Sequence, residues 1–179
     1  MTQEHSLGAC GLRVIVVANE KGGTGKSTVA MNLAIALMGA GQSVSTIDLD
    51  TRQRTLTHYI DNRLGWARTR DIELMTPTHI CFDEDNEFGA SDESAGCAAL
   101  AEILDKASSN HAFVVVDTAG HSNYLARFAH SRADALITPL NDSFLDLDVL
   151  ATLDPDNFSI VNLSQYAQMV QSVREARRL

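Results

Sequence analysis

Asn19-Glu20-Lys21-Gly22-Gly23-Thr24-Gly25-Lys26-Ser27-Thr28 is the run of residues on which the fold turns. The apolar, β-branched segment Val14 to Ala18 (VIVVA) precedes it, and the helical pattern Val29 to Met38 (VAMNLAIALM) follows. A strand, a glycine-rich turn and a helix N-terminus in that order form an anion cradle. Backbone N–H groups point inward and the positive end of the helix dipole faces the bound phosphates. Gly22, Gly23 and Gly25 allow the backbone to wrap closely. Lys26 supplies a point charge for the β- and γ-phosphates, and the Ser27 hydroxyl suits Mg²⁺. Thr24 and Thr28 complete the candidate nucleotide-contacting run.

The string meets the phosphate-loop template G-x-x-x-x-G-K-[ST] only in part, because Glu20 stands where the first glycine belongs. A second lysine, Lys21, directly precedes the glycines. That K-G-G-x-G-K-[ST] form is similar to the deviant P-loop of the ParA/MinD ATPases. The chain has three lysines, Lys21, Lys26 and Lys106, and two of them lie in this loop.

A length of 179 residues suits one domain with a sizeable core, and 45% apolar with 21% charged residues describes an ordinary globular protein. The net charge of −9 argues against a uniformly basic nucleic-acid binder while leaving room for a local basic patch. Cys10, Cys81 and Cys97 are odd in number and widely spaced, which fits a reduced cytoplasm better than a disulfide or zinc framework. The six histidines (5, 58, 79, 111, 121 and 130) have no metal-ligand spacing and read as surface or packing residues. The polar N-terminus has no signal-peptide pattern, and no apolar run approaches the roughly 18 residues of a membrane span.

In chain order, residues 1–11 read as a flexible tail and 12–179 as the nucleotide-binding domain. Leu12–Ala18 is a buried strand, and the helix after the loop runs to about Met38, stopping at Gly39-Ala40-Gly41. Ser43–Asp50 is the next strand, so a βαβ unit with a right-handed crossover is expected. Thr51–Arg70 reads as a helix carrying Arg52, Arg54, Arg63, Arg68 and Arg70, either a solvated face or a patch for an acidic partner or phosphates. A short strand is expected around His79–Phe82. Asp83 to Glu93 holds six acids and no base and reads as an exposed loop. A helix over Glu93–Ser108 leads to the strand within His111–Gly120, then a short helix and a strand over Ala133–Leu140. Asn141 to Leu150 reads as a polar loop. Ser164–Leu179 is expected to be an amphipathic helix with apolar Tyr166, Ala167, Val170 and Val173, ending in Arg174, Arg177 and Arg178.

The fold class expected is α/β, a doubly wound and mostly parallel sheet. In such a sheet ligands sit beyond the carboxyl ends of the strands. The glycine loop, Asp48 with Asp50, and Asp117 all fall at such ends. Asp117 then holds Mg²⁺ through water with Ser27 as a direct ligand, Asp50 orients the attacking water, and Asp48 belongs to the metal's outer shell. Gly120 brings a backbone N–H near the γ-phosphate. The plainer alternative for each acid is a strand-end residue without chemistry.

NEKGGTGKST, TIDLDTRQRT, VVVDTAG and RADALITPLNDSFLDLD together resemble the MipZ family of division-plane positioning ATPases, within the ParA/MinD group of deviant Walker A P-loop NTPases. The resemblance covers roughly Leu12 to Arg178 and is weakest over residues 71–110. It implies ATP and Mg²⁺ as ligands and a homodimer that sandwiches two nucleotides. Lys21 would act across the dimer, with Lys26 and Asp50 as catalytic residues in cis. It further implies non-specific DNA binding, a ParB-like partition protein and FtsZ as partners, no membrane, and a cytoplasmic, nucleoid-associated or polar location. DTAGH replaces the family's DTPGG. Family members also extend past this point, so the resemblance implies a C-terminally incomplete domain with an unpaired sheet edge near Ala135–Thr138 and poor stability in isolation. The alternatives are a ParA-type partition ATPase and a nucleotide-binding module without turnover.

Overall fold

The computed structural model describes residues 13–82, 92–121 and 123–176. The expected tail, Cys10, the acidic loop between Asp83 and Ser91, and Arg177 and Arg178 lie outside the described residues.

Five parallel strands form the central sheet: β1 (Arg13–Val17), β2 (Val44–Asp48), β3 (Thr78–Cys81), β4 (Phe113–Asp117) and β5 (Ala135–Ile137). Their spatial order is β3-β2-β4-β1-β5. Helices α1 (Lys26–Gly39) and α2 (Thr55–Arg70) cover one face, against Val17, Val44 and Val115. Helices α3 (Glu93–Asn110) and α4 (Tyr124–Arg132) cover the other, against Val14, Val16, Ile47, Val114 and Val116. Strands buried on both faces have to be apolar nearly throughout, which is why RVIVV and FVVVD run without polar alternation. The sheet is doubly wound, as the sequence reading expects.

Local chemistry sets the helix ends. α1 closes in a Schellman motif: Gln42 N–H donates to Leu37 O at 3.0 Å and Gly41 N–H to Met38 O at 2.9 Å, with Gly41 at φ 79°. Asp92 caps α3 by accepting from Ala95 N at 2.9 Å, and Asn123 caps α4 by accepting from Ala126 N at 2.7 Å.

Three sequence expectations need correction. The helix expected from Thr51 begins at Thr55, because Asp50 Oδ1 accepts from Arg52 N and Gln53 N at 3.2 and 2.9 Å and folds residues 50–54 into a turn. The expected polar loop after Leu140 contains a single helical turn, α5 (Phe144–Leu147), held by Asp146 N–H and Leu147 N–H donating to Ser143 O. An antiparallel hairpin, β6 (Ala151–Leu153) with β7 (Ile160–Leu163), precedes α6 (Gln165–Ala176) and was not expected. β7 is exposed throughout, so its sequence carries no burial pattern to read. β5 ends the sheet, paired only with β1 among the described strands.

Candidate nucleotide site

β1 and β4 lie side by side, yet the chain leaves β1 toward β2 and leaves β4 toward β5. That reversal opens a crevice at their carboxyl ends. The register places Val17, Asp117 and Asp48 in one row across β1, β4 and β2, so the glycine loop and both acids share one rim.

A cleft of about 310 Å³ opens there, walled by Gly22, Gly23, Gly25, Lys26, Ser27 and Thr28 on one side and by Asp50 and Gly120 opposite. Gly23 and Gly25 have φ of 75° and 86°, in the left-handed region that β-carbons disfavour. Gly120 is needed for a different reason. A β-carbon on it would stand 3.2 Å from Gly22 Cα and 3.3 Å from Lys26 Nζ. Thr24 is buried behind the loop, its hydroxyl 3.5 Å from Lys21 O.

Lys26 is 7% exposed and its Nζ donates to Lys21 O at 3.0 Å. Burial lowers its pKa, while Asp117 and Asp50 pull the other way. Asp117 is fully buried, and among the described residues neither of its carboxylate oxygens has a hydrogen-bond partner of ordinary geometry. Burial pushes its pKa up to about 7; the Ser27 hydroxyl and Lys26 oppose the rise, and Asp48 and Asp50 add to it. An orphaned acid under a serine hydroxyl and an ammonium is a poor arrangement by itself. It fits a hard cation, which takes oxygen ligands and would satisfy the carboxylate.

Asp48 is also fully buried, and its oxygens are engaged. Oδ1 accepts from Asp50 N at 3.0 Å, and Oδ2 accepts from Thr57 N and Thr57 Oγ1 at 3.0 and 2.9 Å. The acid therefore caps α2 from a neighbouring strand and steadies the Asp50 turn. Asp50 itself lines the cleft, and its Oδ2 accepts no hydrogen bond from the described residues.

The family ATPase MipZ matches residues 13–179. This chain belongs to the MipZ family. Among curated relatives it is 31% identical over 163 residues to the chromosome partitioning protein ParA of Caulobacter vibrioides, covering 79% of this chain and 61% of that protein. It is 27% identical over 186 residues to the antiactivator FleN of Pseudomonas aeruginosa, covering 94% and 65%. The chain thus spans under two thirds of the length of these relatives. Solved structures share the fold. They include a plasmid partition protein from Borrelia burgdorferi (TM-score 0.59, 20% identity, 78% of this chain and 69% of that one). Cobyrinic acid a,c-diamide synthase from Mycobacterium smegmatis, with bound ADP and magnesium, is another (0.59, 22%, 92% and 68%). A third is pNOB8 ParA bound to nonspecific DNA (0.55, 20%, 77% and 57%).

Within this MipZ-family chain, Lys21 does not line the cleft. Its ammonium is ion-paired with Asp146, a residue the sequence reading left unassigned. Gln53, Thr55 and Thr118 line the cleft and were also missed, since polar residues in a turn carry no distinguishing pattern. Asn19 ties the loop to the edge of the sheet: its Nδ2 donates to Pro139 O at 2.7 Å, and its Oδ1 accepts from Lys21 N at 2.9 Å. The arginines of α2 stay outside the cleft; Arg70 stacks over Trp66 at 4.4 Å and Arg63 Nε donates to Met75 O at 3.0 Å. No described helix is long and apolar enough to cross a membrane.

Proposed function

We propose that this chain is the nucleotide-binding part of an ATP-hydrolysing dimerisation switch that places the cell-division site. The observation that carries the reading is the buried Asp117 carboxylate, unpartnered among the described residues and set beside Ser27 and Lys26, which line the cleft of about 310 Å³. Lys26 and the backbone N–H groups of residues 22–28 hold the β- and γ-phosphates. Ser27 and Asp117 would hold Mg²⁺, with Asp48 behind them. The ion, when bound, neutralises charge building on the transferred phosphoryl group. Asp50 orients the attacking water through Oδ2, the oxygen not spent on its own turn. Gly120 lets the loop after β4 approach the γ-phosphate and register its loss.

Lys21 serves the phosphates of a second copy, which couples turnover to dimer formation because the transition-state charge is neutralised only in the closed pair. Partners in this reading are FtsZ, whose assembly is inhibited, a ParB-like partition protein, and DNA without sequence preference. The location is cytoplasmic, nucleoid-associated or polar. Membership of the MipZ family supports the ATPase part of this reading.

Phosphate release from wild type and Lys26→Ala, with and without Mg²⁺, tests the chemistry. Turnover that needs both is expected, and equal background rates would leave a binding module. Pelleting of FtsZ filaments with protein and ATP tests the biology. The similarity to ParA of Caulobacter vibrioides favours a second reading, a chromosome partition ATPase, and undisturbed filaments would select it.

A further inference from the structure

A chain of hydrogen bonds runs from the outer part of the sheet to the floor of the site. Thr46 and His79 are register partners on β2 and β3, and the Thr46 hydroxyl lies 2.9 Å from His79 Nδ1. His79 Nε2 lies 3.0 Å from Thr57 Oγ1 on α2. Thr57 Oγ1 donates to Asp48 Oδ2, and Asp48 Oδ1 accepts from Asp50 N.

Counting protons orders the series. A threonine hydroxyl has one hydrogen, and that of Thr57 goes to the Asp48 carboxylate, which can only accept. Thr57 Oγ1 must therefore accept from His79, which requires Nε2–H. A neutral ring protonated there is an acceptor at Nδ1, and the Thr46 hydroxyl supplies that hydrogen. Burial lowers the His79 pKa against the opposing pull of Asp48, Asp61 and the Thr46 backbone, and the net lowering agrees with a neutral ring.

We infer that His79 is a positioning residue for the hydrolytic step: through Thr57 and Asp48 it sets the turn that carries Asp50. With Nε2–H occupying one face of Oγ1, the Thr57 hydroxyl has a single orientation, toward Asp48. Asp48 is then held at both oxygens, and the Asp50 backbone is held by Asp48. Nucleotide grip does not pass through this series, because Lys26 and the glycine loop stand on β1 and α1. The inference rests on the hydrolysis reading above for its kinetic consequence, and on hydrogen-bond logic alone for the ring's tautomer.

The closing experiment uses the full chain in two arms. Nitrogen-15 NMR of the histidine rings, with His79 assigned by substitution, is expected to show the Nε2–H tautomer; an Nδ1–H ring overturns the inference. Steady-state ATP hydrolysis then compares His79→Gln, which places an amide N–H where Nε2 stood, with His79→Asn, which reaches only the Nδ1 position. The Asn variant is expected to lose about tenfold in kcat, the order of one hydrogen bond between neutral groups, with KM for ATP unchanged. The Gln variant should recover most of that loss. Equal behaviour of the two variants, or a rise in KM matching the fall in kcat, overturns the positioning role. A wild type without turnover would instead sink the hydrolysis reading, and the tautomer would decide the relay by itself.

Discussion

Lys21 and Asp146, separated by 125 positions in the chain, form an ion pair within one copy of the protein. Asp146 is 1% exposed, and its second oxygen accepts from Asn141 N at 2.7 Å. The Lys21 ammonium and that N–H together hold its carboxyl below the usual carboxylate range. In the proposed dimer Lys21 has to leave this partner to reach another copy's phosphates, so the pair acts as a restraint on assembly. Asp146→Asn keeps an acceptor for Asn141 and removes the charge. With a non-hydrolysable ATP analogue, the variant is expected to dimerise at about tenfold lower protein concentration by sedimentation, one charge-assisted contact being worth that much. Lys21→Ala should bind the analogue and remain monomeric. An Asp146→Asn protein that dimerises no more readily would show that the pair restrains nothing.

Asp50 combines two tasks on two oxygens, turn formation on Oδ1 and the proposed water contact on Oδ2. Asp50→Asn preserves the first and removes the basicity of the second. Phosphate release is expected to fall about a hundredfold with the ATP-bound dimer accumulating, the usual scale for loss of a proton acceptor. Normal turnover in that variant would remove Asp50 from the mechanism.

Asp117 makes cation-free protein sensitive to pH in an unusual direction. With its pKa pushed up to about 7 from 3.8, the folded state retains a proton that the unfolded state releases. Its contribution to stability therefore declines as pH rises from about 4 to 7, by roughly 4 kcal/mol at the upper end. Asp117→Asn removes this slope. Nucleotide-free variant should melt above wild type at pH 8, while Mg²⁺ with ATP should raise the melting temperature of wild type by more than that of the variant. Equal gains from Mg²⁺–ATP in both proteins would mean the cation sits elsewhere.

His130 has the opposite sign. It lies on α4, 4% exposed and facing α6, with an edge-on contact to Tyr166 at 5.8 Å and no partner for Nε2 among the described residues. Burial lowers its pKa from 6.5 to about 4. The unfolded chain takes up a proton that the folded chain refuses, so stability falls as pH drops from 6.5 toward 4, by about 3 kcal/mol when complete. Thermal melts across that range should show a steeper loss for wild type than for His130→Leu. Parallel curves would place the acid sensitivity on other groups.

The glycine loop and the strand and helix that flank it were legible in the sequence because their chemistry is local. A glycine with positive φ, a lysine one residue past it and a serine at a helix start lie within a handful of positions, and β1 and β4 advertise their double burial as unbroken β-branched apolar runs. Reading failed where a side chain answers to a distant partner. Asp48, expected behind the metal, also caps a helix nine positions on, a task its sequence neighbours do not announce. Thr57, His79 and Thr46 look like ordinary polar residues until β2, β3 and α2 are brought together.

From the order of residues alone came a parallel, doubly wound sheet with a phosphate cradle at its rim, since backbone preference and periodicity act over a few neighbours. The tertiary structure decided which acid is left bare, which is tied down, and where the second lysine of the loop points. Those outcomes depend on burial and on hydrogen-bond partners up to 125 residues apart, which no local pattern encodes.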